Sequence, residues 1–111
     1  MHIITDAIVR DTARLYDLTA FQEQINEILA LVDVKNLGDV SHQFEGSGFT
    51  VTICLAESHI AIHTWPELGF VTFDVYLCNY LNDNTQKAED IHLGICEYFD
   101  PISINSTRLM R

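Results

Sequence analysis

The sequence predicts an α/β fold, specifically a two-layer α/β sandwich with two helices on one face of a mainly antiparallel sheet. Several segments alternate apolar and polar residues with the period of two that is typical of strands. Two longer segments repeat apolar residues at helical spacing. The length of 111 residues, 48% of them hydrophobic, suits a single domain over residues 1–111 with one core.

The first half of the chain is expected to contain a strand, a helix and two further strands. The β-branched and apolar segment His2–Val9 predicts the opening strand. Thr19 and Gln22 fit a capping box at the start of a helix, which ends before a turn at 36–39. Strands follow at 40–44 and 49–56. The apolar stripe of the helix consists of Phe21, Ile25, Ile28, Leu29 and Val32.

The second half is expected to add two strands, a helix and a last strand. Alternation predicts strands at 59–65 and 70–78, separated by a break at Pro66–Gly69. Helical spacing resumes from about Thr85 to Phe99, and 102–109 is a short final strand. The predicted order is therefore β-α-β-β-β-β-α-β.

Composition excludes several classes of protein. Six basic against sixteen acidic residues give a formal charge of −10, which disfavours a nucleic-acid partner because phosphate binding needs clusters of Lys and Arg. No apolar run approaches the roughly 20 residues of a membrane helix, and we expect no signal peptide. The odd number of cysteines indicates free thiols in a reducing compartment, so we expect a cytoplasmic protein. Cys54 and Cys96 are expected in the core.

The segment AESHIAIHTWPE, residues 56–67, is unusually rich in polar side chains for a strand region. His59 and His63 could suggest a zinc site, but four residues of a strand span about 13 Å, which is too far for one ion. Ser58 could suggest a hydrolase, but it lacks the flanking glycines of a nucleophile elbow. Spacing alone therefore favours an ordinary strand with no metal.

The same segment, extended to AESHIAIHTWPELGF, resembles the self-processing segment of the short prokaryotic S-adenosylmethionine decarboxylases. That family has a Glu-Ser-His, a His five residues after the Ser, and then Thr-Trp-Pro-Glu. The resemblance extends over most of the chain. It includes His42-Gln43-Phe44, Cys78 twenty residues after Ser58, and the opening His2-Ile3-Ile4 with Asp6 shortly after it.

The resemblance implies that the chain cuts itself between Glu57 and Ser58, leaving a β chain of residues 1–57 and an α chain of residues 58–111. Ser58 becomes a pyruvoyl group, a self-derived cofactor that forms a Schiff base with the substrate. His63 is expected to transfer protons during processing, since imidazole does so near neutral pH. Cys78 matches the family's proton donor in decarboxylation.

The resemblance also implies a substrate, a product and an assembly. Phe44 and Trp65 match aromatic residues around the sulfonium and adenine of S-adenosylmethionine, and Glu67 matches an acidic residue on the ribose hydroxyls. Decarboxylation would supply aminopropyl groups for spermidine synthesis. In the family the active site forms between two protomers, so we expect a homodimer.

Some positions depart from the family pattern. Thr50 stands where the family usually has a serine that assists processing, which predicts slower cleavage because a β-branched side chain is stiffer. Strict alternation would put Ser58 and His63 on opposite faces, so we expect the strand to begin after Ser58 or to bend there. Two alternatives stay open: a pyruvoyl-dependent arginine or ornithine decarboxylase, and a non-cleaving relative that binds a ligand or regulates a partner.

Overall fold

The computed structural model describes residues 1–111, which form one six-stranded sheet with every neighbouring pair antiparallel. In chain order the strands are β1 His2–Val9, β2 Gly38–Gln43, β3 Phe49–Leu55, β4 Ser58–Trp65, β5 Phe70–Tyr76 and β6 Pro101–Leu109. Across the sheet their order is β2-β3-β4-β5-β1-β6. The predicted strands are confirmed, with ends that differ by at most two residues.

Two long helices pack on one face of this sheet, as predicted, and the α/β sandwich is confirmed. They are α2, Leu18–Leu31, and α3, Thr85–Phe99. A single helical turn that the sequence did not predict, α1 at Ala13–Tyr16, precedes α2. The predicted capping box is wrong. Asp17 caps α2 instead, because its side chain accepts a hydrogen bond of 3.0 Å from the backbone N–H of Ala20. No helix is long and apolar enough to cross a bilayer.

The core lies between the helices and the sheet. Phe21 of α2 packs its ring against Phe49 of β3 at 5.6 Å and against Phe99 of α3 at 5.8 Å, and all three are buried. These rings join both helices to the sheet. The opposite side, the open face, has no helix over it. It carries His2, Ile4, Asp6, His42, Thr50, Cys54, His59, His63, Trp65, Thr72, Asp74 and Tyr76.

The three cysteines are free thiols. The prediction that Cys54 fills the core is wrong, because it alternates with buried Ile53 and Leu55 and therefore lies exposed on the open face. Cys96 of α3 is half-buried as expected, and burial raises the pKa of its thiol.

His92 of α3 is a buried histidine whose ionisation is linked to folding. Burial lowers its pKa below the ordinary value of 6.5, so protonation favours the unfolded chain. We therefore expect the free energy of unfolding to fall as pH drops below about 6.5, by at most about 1.4 kcal/mol per pH unit for one proton. Urea midpoints at pH 7.5 and 5.5 measure this loss, and His92→Gln should reduce it. An unchanged pH dependence in His92→Gln would contradict the assignment.

Candidate active site

The predicted cleavage site lies in a tight turn between β3 and β4. Leu55 pairs directly with Ser58, so Ala56 and Glu57 alone form the hairpin loop. Glu57 has a φ of 55°, a left-handed conformation that costs an L-residue with a Cβ roughly 1–2 kcal/mol. The residue before the predicted scissile bond is thus held in a strained conformation of the kind that clusters at functional sites.

Ser58 and Cys78 are brought together at this end of the sheet. The backbone N–H of Cys78 donates a hydrogen bond of 2.9 Å to the Ser58 hydroxyl oxygen. The loop that carries Cys78 is fixed in turn, because the Asn84 side-chain amide donates to the Cys78 carbonyl at 2.8 Å. The hydroxyl accepts this bond and keeps its own proton free for transfer. We call Glu57, Ser58 and Cys78 the serine half-site.

A cavity of about 190 Å³ adjoins Ser58. Lys35 and Lys87, the only two lysines in the chain, both line it. Asp33 is the one acidic residue in the lining, so two positive charges and one negative charge lie beside Ser58 in a protein with a formal charge of −10.

Thr50 and His63 form a second cluster on the open face. They are direct cross-strand partners in β3 and β4, and the Thr50 hydroxyl lies 2.6 Å from His63 Nδ1. The same hydroxyl lies 3.3 Å from the Ile62 carbonyl, and when it donates its single proton there, its oxygen accepts from Nδ1–H. This arrangement leaves Nε2 of the exposed imidazole as a base.

A groove of about 560 Å³ lies beside His63. Phe44 and Trp65 provide exposed aromatic surface in its wall, and the Glu67 carboxylate accepts a hydrogen bond of 3.0 Å from Ser47 Oγ. Gly48 is required at the groove because a Cβ there would lie 2.2 Å from the Thr64 carbonyl oxygen. We call Phe44, Thr50, His63, Trp65 and Glu67 the histidine half-site.

The two half-sites are separate within one chain. The prediction that the strand begins after Ser58 or bends there is wrong, because the two-residue turn already closes the β3–β4 ladder at Ser58. Alternation therefore places the side chains of Ser58 and His63 on opposite faces, five residues or about 16 Å apart along β4. One chain alone does not bring its His63 to its own Ser58.

The residues that hold these half-sites in place carry no signature in the sequence. Asn84 fixes the Cys78 loop and Ser47 holds Glu67, and neither belongs to a recognisable motif. Both are polar residues in turn regions, where many asparagines and serines serve only the backbone. Only the three-dimensional contacts distinguish them.

Whole-chain similarity shows which family the protein belongs to. The sequence model of the family described as S-adenosylmethionine decarboxylase matches residues 1–111. The chain belongs to this family. The predicted family is therefore confirmed.

Individual relatives agree with the family assignment. The S-adenosylmethionine decarboxylase proenzyme of Thermoplasma acidophilum is 32% identical over 115 aligned residues, covering 100% of this chain and 82% of the relative. The proenzyme of Archaeoglobus fulgidus is 35% identical over 79 residues, covering 71% of this chain and 67% of the relative.

A solved structure extends the agreement to the fold. The crystal structure of the adenosylmethionine decarboxylase of Aquifex aeolicus matches with a TM-score of 0.84 and 28% sequence identity. The match covers 96% of this chain and 84% of that chain. The sheet and helices described above are thus the architecture of a member of the family.

Proposed function

We propose that this chain is a self-processing S-adenosylmethionine decarboxylase, a carboxy-lyase that supplies aminopropyl groups for spermidine synthesis. The observation that carries the proposal is the serine half-site. A strained Glu57 precedes a serine whose hydroxyl is hydrogen-bonded to the backbone of Cys78, in a chain that belongs to the decarboxylase family. A cytoplasmic location is part of the same proposal, and the three free thiols support it.

Self-cleavage is proposed to follow from the chemistry of Ser58. Its oxygen attacks the Glu57 carbonyl carbon, the C–N bond breaks, and an ester replaces the peptide. Removal of the Ser58 Cα proton then breaks the Cβ–Oγ bond, so the oxygen leaves with Glu57 as a carboxylate. Water hydrolyses the remaining dehydroalanine to a ketone and ammonia. One water is consumed and one ammonia is released, with no oxidant.

Three features of the precursor favour these steps. Ester formation relieves the left-handed strain at Glu57, which gives the first step a driving force of roughly 1–2 kcal/mol. The hydrogen bond from Cys78 N–H orients the attacking oxygen. Lys35 and Lys87 offer positive charge to the carboxylate that forms.

The proton transfers require a base, and a single chain does not place its His63, the predicted base, near Ser58. We therefore propose a homodimer in which His63 of the partner subunit approaches Ser58. The exposed position of His63 and Trp65 on the open face supports this, because a second copy could reach them. Each active site would combine the serine half-site of one protomer with the histidine half-site of the other.

Decarboxylation is proposed to use residues from both half-sites. The pyruvoyl ketone supplies an electron sink for the electrons of the breaking Cα–CO₂ bond. Cys78 lies beside residue 58 and would return a proton to that carbon. Phe44 and Trp65 would hold the sulfonium by cation–π attraction, worth roughly 0.5–2 kcal/mol. The Glu67 carboxylate, already oriented by Ser47, would accept hydrogen bonds from the ribose.

Intact-mass measurement of the purified protein tests the proposal. We expect two fragments, residues 1–57 and 58–111, with the second about 17 Da lighter than simple hydrolysis would give, since its amine is replaced by a ketone. Reaction of that fragment with a hydrazine should confirm the ketone. A single uncleaved chain would exclude the enzyme and favour the non-cleaving relative.

Thr50 should limit the rate of cleavage. We expect Thr50→Ser to speed the decay of intact precursor after refolding by a few-fold, because serine keeps the hydroxyl and removes the stiff β-branch. The isosteric Thr50→Val removes the hydroxyl that orients His63 and should slow cleavage about tenfold, the equivalent of one lost hydrogen bond. Equal rates for all three proteins would argue against a role for Thr50 in processing.

Glu67 should distinguish the nucleoside substrate from smaller cations. Released CO₂ is measured with S-adenosylmethionine, arginine and ornithine. We expect activity on S-adenosylmethionine, and Glu67→Gln should raise its KM about tenfold to a hundredfold through loss of charged hydrogen bonds. Ser47→Ala, which removes only the partner of Glu67, should have a smaller effect. A preference for arginine or ornithine that is insensitive to Glu67→Gln would overturn the substrate assignment.

A further inference from the structure

His2, Asp74 and His59 form a cluster on the open face that the proposed function does not use. His2 Nε2 lies 2.8 Å and His59 Nε2 lies 3.1 Å from the same oxygen, Oδ2 of Asp74. The three ligand atoms all lie within 4.8 Å of one another. Two imidazole nitrogens thus lie beside one carboxylate oxygen.

The sheet fixes this arrangement. The three residues come from adjacent strands, with β5 between β1 and β4. His2 and His59 are both direct cross-strand partners of Tyr76, whose ring lies 5.4 Å and 5.5 Å from their rings. Asp74 is two residues from Tyr76 on the same face, diagonal to both histidines. The donors are therefore held by backbone pairing in the middle of the sheet.

We propose that His2, Asp74 and His59 bind one divalent transition-metal ion per chain, of the class of Zn²⁺ or Co²⁺. Two histidines and one carboxylate that leave further positions open are a ligand set typical of such ions. In a single chain the side chains of His2, Asp74 and His59 are 14%, 28% and 41% exposed, which leaves room there for water on the ion. The proposal does not depend on self-cleavage or on the substrate.

The observed spacing is close to what an ion requires. Ligand atoms at 2.0–2.2 Å from a tetrahedral ion are about 3.3 Å apart, only a few tenths of an ångström more than the two hydrogen bonds. Only the gap between the two imidazole nitrogens has to close. On binding, the proton of each Nε2 is replaced by the ion and the neutral ring carries its proton on Nδ1 instead.

Arg111 is a neighbour that opposes a cation. Its Nη1 lies 3.4 Å from His2 Nδ1, and its guanidinium lies over the Tyr76 ring at 4.7 Å. The ion would repel the guanidinium charge. Once His2 Nδ1 carries a proton, it could no longer accept a hydrogen bond from Arg111. Because Arg111 is exposed, its side chain can move into solvent. Its removal should therefore strengthen binding.

Calorimetric titration of the chelator-treated full chain with Zn²⁺ tests the site, and Co²⁺ reports the ligands through its visible d–d absorption. We expect one ion per chain. His2→Ala, His59→Ala and Asp74→Asn should each lower affinity tenfold or more, whereas Arg111→Ala should raise it several-fold. Asp74→Asn is the sharpest variant, because it keeps the shape of the side chain and loses the anionic ligand.

Two controls separate this site from other donors on the open face. His42→Ala removes a histidine of β2 that lies outside the cluster, and Cys54→Ser removes the thiol opposite His59 across the β3–β4 pair. Both should bind Zn²⁺ and Co²⁺ as the unchanged chain does. Absence of binding, or binding that survives in Asp74→Asn and His59→Ala, would overturn the proposal and leave the cluster a hydrogen-bonded triad. Cleavage at Ser58, measured on the same samples, reports separately on the proposed function.

Discussion

Ser58→Ala is expected to abolish both self-cleavage and decarboxylation. Alanine has no oxygen to attack the Glu57 carbonyl, so the ester cannot form and no ketone can arise at residue 58. The variant should run as one intact chain of 111 residues with no measurable release of CO₂. The loss should be complete rather than graded, because the same atom is needed to make the cofactor and the cofactor is needed in every turnover.

The variant should nevertheless fold. It loses the hydrogen bond from Cys78 N–H, which is worth about 1 kcal/mol, and it fills no new space. Circular dichroism and urea unfolding check this point. Ser103→Ala, a change at an exposed serine of β6, serves as the matched control and should be cleaved normally. Cleavage of the Ser58→Ala chain at the same bond would show that an outside protease, and not Ser58, cuts the precursor.

The architecture could be predicted from the sequence because burial in the core requires apolar residues at the regular spacing of each strand and helix. In β3 the alternating apolar residues Phe49, Val51, Ile53 and Leu55 are all buried. Such alternation predicts a strand with that face in the core, because a shift of one residue would expose the whole apolar set. The start of α2 could not be predicted in the same way. Asp17 and Thr19 are both good capping residues, and the choice depends on α1, a four-residue turn with no periodicity to detect.

The sequence offered a set of residues for the candidate site but not their geometry. The resemblance supplied the candidate members of both half-sites. It did not show that the hairpin loop is only two residues long, which fixes Ser58 as the first residue of β4. The sequence allowed a bend that would unite Ser58 with His63 in one chain. The structure has no such bend. The chain reverses at Glu57, before Ser58, and β4 then continues from Ser58 past His63.

The separation of the half-sites makes a strong prediction about mixed dimers. When chains carrying Ser58→Ala are co-expressed with chains carrying His63→Ala, each with a different tag, we expect cleavage that neither variant shows alone. Removal of a general base should slow cleavage of the His63→Ala homodimer about 10²–10⁴-fold. In the mixed dimer, however, the intact Ser58 of one protomer meets the intact His63 of the other, so one complete site is restored.

The fraction of chains cleaved and the tag of the cleaved chain both test whether His63 acts on Ser58 of the other protomer. Random pairing puts about half of the Ser58-bearing chains into mixed dimers, so about half of the chains tagged as His63→Ala should be cleaved, and none of those tagged as Ser58→Ala. Mixing separately purified homodimers that do not exchange subunits should restore nothing. If His63 acted within its own chain, every site in the mixed dimer would lack one of the two groups. Co-expression without cleavage would therefore refute the shared site, whereas cleavage of the His63→Ala chain requires that its proton acceptor come from a second copy.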